Sequence, residues 1–355
     1  MGRMQAFNIC FVIALLLCAC TALAQADENP EAPPTPRGAA PIDLVDNRVQ
    51  VQLGVAGVPV TLLLDTGAST SLLFETDALN AVGLTFGETR GISFPAFAKG
   101  ATGHVIDTLT LTTADGFSFE GKSVLYLSAA ESIVGELGQK FGGILGRDFL
   151  SRFVVEIVPS ESLMKIYAPG TNLSRQYRLS HDLVMEDDSP YLMHRFRLPW
   201  EQWPTTKKLL LDTGYPGGIV LWHDRHFGRV ATPEEQVSLR AEGKGVVFFG
   251  LVRFSKLLYR NLPVFVGPSR AGQLEDRDGL IGASMFLPFR YVIDLPGGKL
   301  LLDARIKSRG IGYSISNEVI YTPGDEEFII KDLRSRPSAT PKDVYTKDST
   351  EVVPE

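Results

Sequence analysis

The chain has 355 residues, enough for two domains with cores of their own, and its hydrophobic (44%) and charged (21%) fractions are those of a globular protein. A formal net charge of −6, with no basic patch interleaved with aromatics, argues against a nucleic-acid partner. Cys10, Cys18 and Cys20 are the only cysteines, so the chain beyond them has no thiol for a disulfide, a nucleophile or a Cys-ligated metal.

Arg3 precedes an apolar run, Phe11–Cys20, and Ala22-Leu23-Ala24 follows. A basic start, a short apolar core and an A-x-A ending describe a secretory signal peptide over residues 1–24, and the run is short for a bilayer span. The expectation is an exported protein, periplasmic or secreted. Two alternatives stand: an uncleaved anchor, and a lipid anchor at Cys20, because Leu17-Cys18-Ala19-Cys20 is similar to a lipobox. Residues 25–41, rich in Pro, Ala and Glu, read as a flexible linker.

Val49–Leu53 alternates apolar and polar residues, the period of a half-buried strand. Ala56-Gly57-Val58-Pro59 turns the chain, and Val60–Leu64 returns as an apolar strand. Similar segments follow at Leu109–Thr112, Ser123–Leu127, Phe153–Val158, Leu163–Tyr167, Val246–Phe249, Leu262–Val266, Tyr291–Leu295 and Lys299–Leu302. Short helices are expected over Glu75–Val82, Glu131–Phe141 and Pro233–Glu242, the last with Thr232 as its cap. Residues 313–355 turn polar and are expected to form a largely disordered tail.

The hexapeptide Leu-Leu-Leu-Asp-Thr-Gly occurs at Leu62–Gly67 and again at Leu209–Gly214. Downstream of the first, Ile144-Leu145-Gly146 leads to an apolar strand; downstream of the second, Leu280-Ile281-Gly282 does the same. The pattern predicts two related lobes with different loop lengths, residues 42–175 and 176–312. An apolar strand ending in Asp-Thr-Gly delivers a carboxylate at the mouth of a turn, with Gly permitting the turn and Thr able to hydrogen-bond a close neighbour. One such turn is ordinary; two, each with an apolar-apolar-Gly partner, point to paired carboxylates. Such a pair shares one proton, so that the ionised member can take a proton from water while the protonated member polarises a carbonyl. Aspartic proteases are the worked example of that dyad.

Leu62–Ser69 together with Gly143–Leu150 resembles a bacterial retropepsin-like aspartic peptidase, and two copies in one chain are similar to the pepsin-like arrangement. The resemblance implies an all-β, bilobal acid-protease fold: two pseudo-two-fold-related, barrel-like lobes around a cleft. It implies that Asp65 and Asp212 are the catalytic dyad, that Thr66, Gly67, Thr213 and Gly214 support their loops, and that Ile144, Leu145, Gly146, Leu280, Ile281 and Gly282 pack beneath them. It also implies an extended peptide or protein substrate under a hairpin flap, for which Phe94–His104 is the candidate, with Lys99, Gly100, Ala101, Thr102 and Gly103 at its tip.

Two departures fall in the second lobe. Tyr215-Pro216 follows its Asp-Thr-Gly, where a bulky ring would narrow the cleft, desolvate Asp212 or mark a lobe without catalysis, and Ala283-Ser284 replaces Arg147-Asp148. An exported monomeric endopeptidase is the first reading. A catalytically impaired peptide- or envelope-binding protein on the same scaffold is the second, and a homodimer pairing two first lobes is a third arrangement. No metal or cofactor is expected: His223 and His226 lack a third ligand, no Ser sits in a G-x-S-x-G turn, and no phosphate-binding or dinucleotide-binding glycine pattern occurs.

Overall fold

The computed structural model describes residues 33–94, 99–131, 141–198, 201–222, 226, 245–254, 257–267, 277–303, 328–331 and 352–354. The expected signal, the helix Pro233–Glu242 and the middle of the helix Glu131–Phe141 lie outside them. Two compact units are distinguished: Met1–Thr35, of which residues 33–35 are described, and Pro36–Glu355.

The second unit is all-β. In its first half the strands are β1 (Gly38–Val45), β2 (Arg48–Val55), β3 (Val58–Leu64), β4 (Leu72–Phe74), β5 (Thr89–Phe94), β6 (Lys99–Thr112), β7 (Ser118–Leu127), β8 (Gly143–Leu145), β9 (Val154–Val158) and β10 (Leu163–Tyr167). In the second half they are β11 (Leu179–Glu186), β12 (Ser189–Phe196), β13 (Thr205–Asp212), β14 (Ile219–Leu221), β15 (Gly245–Phe254), β16 (Leu257–Val266), β17 (Gly279–Gly282), β18 (Arg290–Asp294) and β19 (Lys299–Asp303). Two short helices, α1 (Asp77–Asn80) and α2 (Arg147–Leu150), belong to the first half. Thr76 caps α1 by accepting from the Leu79 amide.

The halves repeat the strand pairing around their Asp-Thr-Gly turns. β3 pairs with β8 in parallel, β8 with β4 antiparallel and β4 with β7 in parallel. Likewise β13 pairs with β17 in parallel, β17 with β14 antiparallel and β14 with β16 in parallel. Each half opens on a hairpin whose two turn residues have positive φ, Asp46-Asn47 and Asp187-Asp188. Asp and Asn tolerate that region through local side-chain hydrogen bonds, and such a turn matches the twist of paired strands.

A six-stranded antiparallel sheet joins the halves in the order β1, β10, β9, β18, β19, β11, with the central pair Val155↔Ile293 and Ile157↔Tyr291. Its sequence alternation is read out directly. Val155, Ile157, Met164, Ile166, Tyr291 and Ile293 face the main core, while Val154, Tyr167 and Val292 join Leu173 and Tyr177 on the other face. On that second face the buried Glu156 accepts from Tyr167 (2.6 Å) and Tyr177 (2.5 Å), with the Arg290 guanidinium 3.5 Å away. Burial and the adjacent carboxylate hold both phenols above their usual range, so they stay protonated donors.

Two expectations at the chain ends are corrected. The linker was expected to reach residue 41, but Gly38–Pro41 pair with β10 before β1 passes to β2. A Cβ on Gly38 would lie 2.5 Å from Phe117, so the small residues there serve close packing rather than flexibility. The expected tail contains two short strands, Phe328–Lys331 pairing with β15 and Val352–Pro354 with β16, because their local apolar character suits an open sheet edge. The helix expected over Glu75–Val82 is shorter, Asp77–Asn80.

Candidate active site

β3 and β13 end on Asp65 and Asp212, and the fold brings these two turns together. Gly67 and Ala68 amides donate to Asp65 Oδ1 at 2.7 and 3.3 Å. Gly214 and Tyr215 amides donate to Asp212 Oδ1, both at 3.1 Å. The threonines between them are fully buried and bond reciprocally. Thr66 Oγ1 donates to Leu211 O (2.6 Å) and accepts from Thr213 N (3.0 Å). Thr213 Oγ1 donates to Leu64 O (2.9 Å) and accepts from Thr66 N (3.0 Å). Each hydroxyl thus satisfies a carbonyl and an amide of the opposite half, groups that would otherwise be buried unpaired.

This grip sets the two carboxyl groups beside each other, each against the opposite turn. Each glycine faces the opposite aspartate. A Cβ on Gly67 would lie 2.7 Å from Asp212 Oδ1, and one on Gly214 would lie 2.4 Å from Asp65 Cγ. Only a residue without a Cβ lets the turns approach so closely. Both aspartates remain half-buried, so solvent reaches them from one side. Burial raises the proton affinity of both. At Asp65 the amides of Gly67 and Ala68, the Asp212 side chain and the charge of Arg147 oppose it; at Asp212 the charge of Asp65 adds to it while the amides of Tyr215 and Gly214 oppose it. Two neighbouring carboxyls with raised proton affinity favour one proton shared between them.

The apolar-apolar-Gly segments lie below these turns. Asp65 N donates to Leu145 O at 3.0 Å; Leu145 and Ile281 have no exposed surface, Ile144 is buried and Leu280 is half-buried. Gly146 and Gly282 close the arrangement by different means. Gly146 N donates to Ser71 Oγ (3.0 Å), whose hydroxyl donates to Asp148 Oδ1 (2.7 Å). Gly282 N donates to the backbone carbonyl of Gly218 (2.7 Å). The Tyr215 ring does not point across the paired carboxyls. It lies back over its own turn, where a Cβ on Gly217 or Gly282 would meet ring atoms at 2.6 and 2.5 Å. The tight turn after Pro216 leaves glycine beneath the ring and makes room for it there.

Sequence reasoning missed the arginines. The Arg147 side chain donates to the carbonyls of Thr66 (2.8 Å) and Gly67 (2.7 Å), and the buried Arg48 donates through Nε to the carbonyl of Gly214 (2.9 Å). Burial lowers the proton affinity of Arg147, while the charges of Asp65 and Asp212 raise it. Arg147 stood out as a difference between the repeats; Arg48, at the head of an apolar strand, carries no local signal.

β5 and β6 form a hairpin next to the Asp65 turn, since Ile92 and Ala101 join the apolar cluster of Leu63 and Ile144 against which Ala68 packs. The expected tip is corrected. Lys99–Gly103 lie on the returning strand, Lys99 opposite Phe94 and Gly103 opposite Arg90, and the connecting residues 95–98 are outside the described residues. A Cβ on Gly103 would come 3.1 Å from the Tyr126 carbonyl, so that glycine serves strand packing, not a turn. Among the described residues no three His, Cys, Asp or Glu side chains form a metal-binding group, and His226 sits 3.6 Å from Asp278.

Residues 49–149, which span the first turn and its supporting segment, match a family model described as aspartyl protease. No curated protein matches the chain. The solved structure of conglutin gamma, a unique basic 7S globulin from lupine seeds, is similar at 12% identity and a TM-score of 0.48, over 76% of this chain and 95% of its own. Basic 7S globulin from soybean is similar at 12% identity and a TM-score of 0.42, over 75% of this chain and 94% of its own. The first half of the chain is thus similar to aspartyl proteases in sequence, within an all-β fold that repeats the same site-bearing elements once more.

Proposed function

We propose that the protein is an exported aspartic endopeptidase in which Asp65 and Asp212 share a proton and activate one water molecule. The observation that carries the reading is the apposition of two half-buried carboxyls, each against the opposite Asp-Thr-Gly turn, in turns that clasp each other through Thr66 and Thr213. Asp65, stabilised as the anion by two amides and by Arg147, takes a proton from the water as its oxygen attacks the peptide carbonyl carbon. Asp212, which holds the shared proton, donates it to the carbonyl oxygen. The tetrahedral intermediate collapses when its C–N bond breaks and the leaving nitrogen takes a proton from the pair. An extended peptide suits a cleft flanked by the β5–β6 hairpin, through strand-like backbone hydrogen bonds.

One chain supplies both carboxyls, which supports a monomer over a homodimer of first lobes. Export rests on the sequence of residues 1–24, with a lipid anchor at Cys20 as its alternative form.

Asp65→Asn and Asp212→Asn, each assayed on a labelled unfolded protein between acidic and neutral pH, test the reading. Each is expected to lower turnover by about a thousandfold or more while the protein still folds. Wild-type turnover in both variants would remove the mechanism. Binding of extended peptides without turnover, unaffected by either substitution, would replace it with the binding-protein reading.

A further inference from the structure

Four hydrogen bonds at the paired turns share an underlying pattern. The carbonyl of Gly67 and the amide of Ala68 belong to one peptide unit: Arg147 donates to the former at 2.7 Å, and the latter donates to Asp65 Oδ1 at 3.3 Å. The carbonyl of Gly214 and the amide of Tyr215 likewise belong to one unit: Arg48 donates to the former at 2.9 Å, and the latter donates to Asp212 Oδ1 at 3.1 Å. In each case an arginine grips one end of a peptide plane whose other end holds an aspartate. Donation to a carbonyl polarises the peptide and strengthens its N–H as a donor. It also fixes the plane's rotation, and with it the direction from which the amide meets the carboxylate.

The arginines come from unlike places. Arg147 follows the Ile-Leu-Gly segment of its own half. At the matching position of the second half stands Ala283, which has no side-chain donor to offer. Arg48 opens β2 in the first half and crosses to the second turn, 166 residues along the chain from Gly214. It is buried, and a buried guanidinium is retained at considerable desolvation cost.

We propose that Arg48 is the positioning residue of Asp212, acting through the Gly214–Tyr215 peptide and replacing the arginine that Ala283 lacks, so that the first half supplies the arginine for both aspartates. The proposal rests on the peptidase reading for its effect on turnover, but not for its effect on Asp212 itself. Among the described residues, the charged and titratable groups at the pair are the two carboxyls, Arg48 on β2 and Arg147 on α2, with Asp188 and Tyr191 of the second half facing Arg147.

The test uses the full chain with Arg48→Met, Arg48→Gln and Arg48→Lys. kcat and KM are measured on a quenched-fluorescent peptide across pH, and Asp212 is followed by NMR titration of isotope-labelled aspartate carboxyls. Arg48→Met is expected to lower kcat by about 10- to 100-fold with KM changed by less than about threefold. The alkaline limb and the Asp212 titration should both move to higher pH by about 0.5, because the anion loses a polarised donor and a nearby cation. Arg48→Lys, which keeps charge and a donor, should recover more of both than Arg48→Gln. A lowered melting temperature with kcat, pH limb and Asp212 titration all unchanged would overturn the proposal, as would equal behaviour of the Lys and Met variants. If Arg48→Met does not fold, the Lys and Gln variants carry the same readouts, and an unmoved Asp212 titration in both is decisive against it. Turnover that survives Asp212→Asn would instead sink the peptidase reading, and the NMR titration would still decide the role of Arg48.

Discussion

At Asp65 the amides of Gly67 and Ala68 converge on one carboxylate oxygen; at Asp212 the amides of Gly214 and Tyr215 do the same. Behind these matching cradles the two halves differ. The first is buttressed by side chains: Ser71 on Gly146, Asp148 on Ser71, and Arg147 on the carbonyls of Thr66 and Gly67. The second uses backbone and a ring: Gly218 O on Gly282, Tyr215 laid over Gly217 and Gly282, and an arginine borrowed from β2. Geometry at the carboxylate demands Asp-Thr-Gly, because an acceptor, a crossing hydroxyl and a missing Cβ are all needed within three residues. The outer support only has to satisfy the same amides and carbonyls, and several chemistries do that.

The glycines give the sharpest break in this comparison. Gly67→Ala and Gly214→Ala each drive a Cβ into the opposite aspartate, at 2.7 Å from Asp212 Oδ1 and 2.4 Å from Asp65 Cγ. Each is expected to reduce turnover by at least about 100-fold, with the larger loss at 214, where the approach is closer. Near-normal kcat in either variant would show that the turns are not held so tightly.

The threonines come next. Thr66→Val and Thr213→Val keep shape but remove a hydroxyl that serves one carbonyl and one amide of the other half. Each should cost about 2–3 kcal/mol in chemical denaturation, and the double variant less than the sum of the two. Strict additivity would mean that the bonds do not act as one unit.

The smallest effect concerns pH. Both carboxyls have raised proton affinity in the folded state. A carboxyl of this kind adds stability that is fully present below its unfolded value near pH 4 and is lost as pH rises through its folded value. Stability should therefore decline from about pH 4 upward, and Asp212→Asn should flatten that decline, gaining about 1–2 kcal/mol at the alkaline end. Asp65→Asn should flatten it as well, since burial raises that carboxyl too. Parallel stability curves for wild type and Asp212→Asn would contradict the sharing of a proton.

Much of this was legible in local pattern. Alternation along Val49–Leu53 and the apolar run Val60–Leu64 marked β2 and β3, and Leu163–Tyr167 matched β10 in full. β1 was hidden because Gly38–Pro41 have the composition of a linker, and only the Phe117 ring and the edge of β10 make a strand of them. Lys99–Gly103 misled in the opposite direction, their glycines reading as a turn where they serve the close approach of β6 to β7. Arg48 and the resting place of the Tyr215 ring had no local signature.

By itself the sequence determined strands such as β2, β3 and β10, the two Asp-Thr-Gly turns and the fact that they are copies, because periodicity, glycine and a repeated hexapeptide act on neighbouring residues. Only the tertiary structure decided that Thr66 meets Thr213, that Arg48 reaches Gly214, and that burial raises the proton affinity of both aspartates. Those are properties of the register between halves and of the burial it creates. A carboxyl's proton affinity depends on the groups packed around it in space: its own turn's amides at each aspartate, Arg147 at Asp65, and the carboxyl of the opposite half at both.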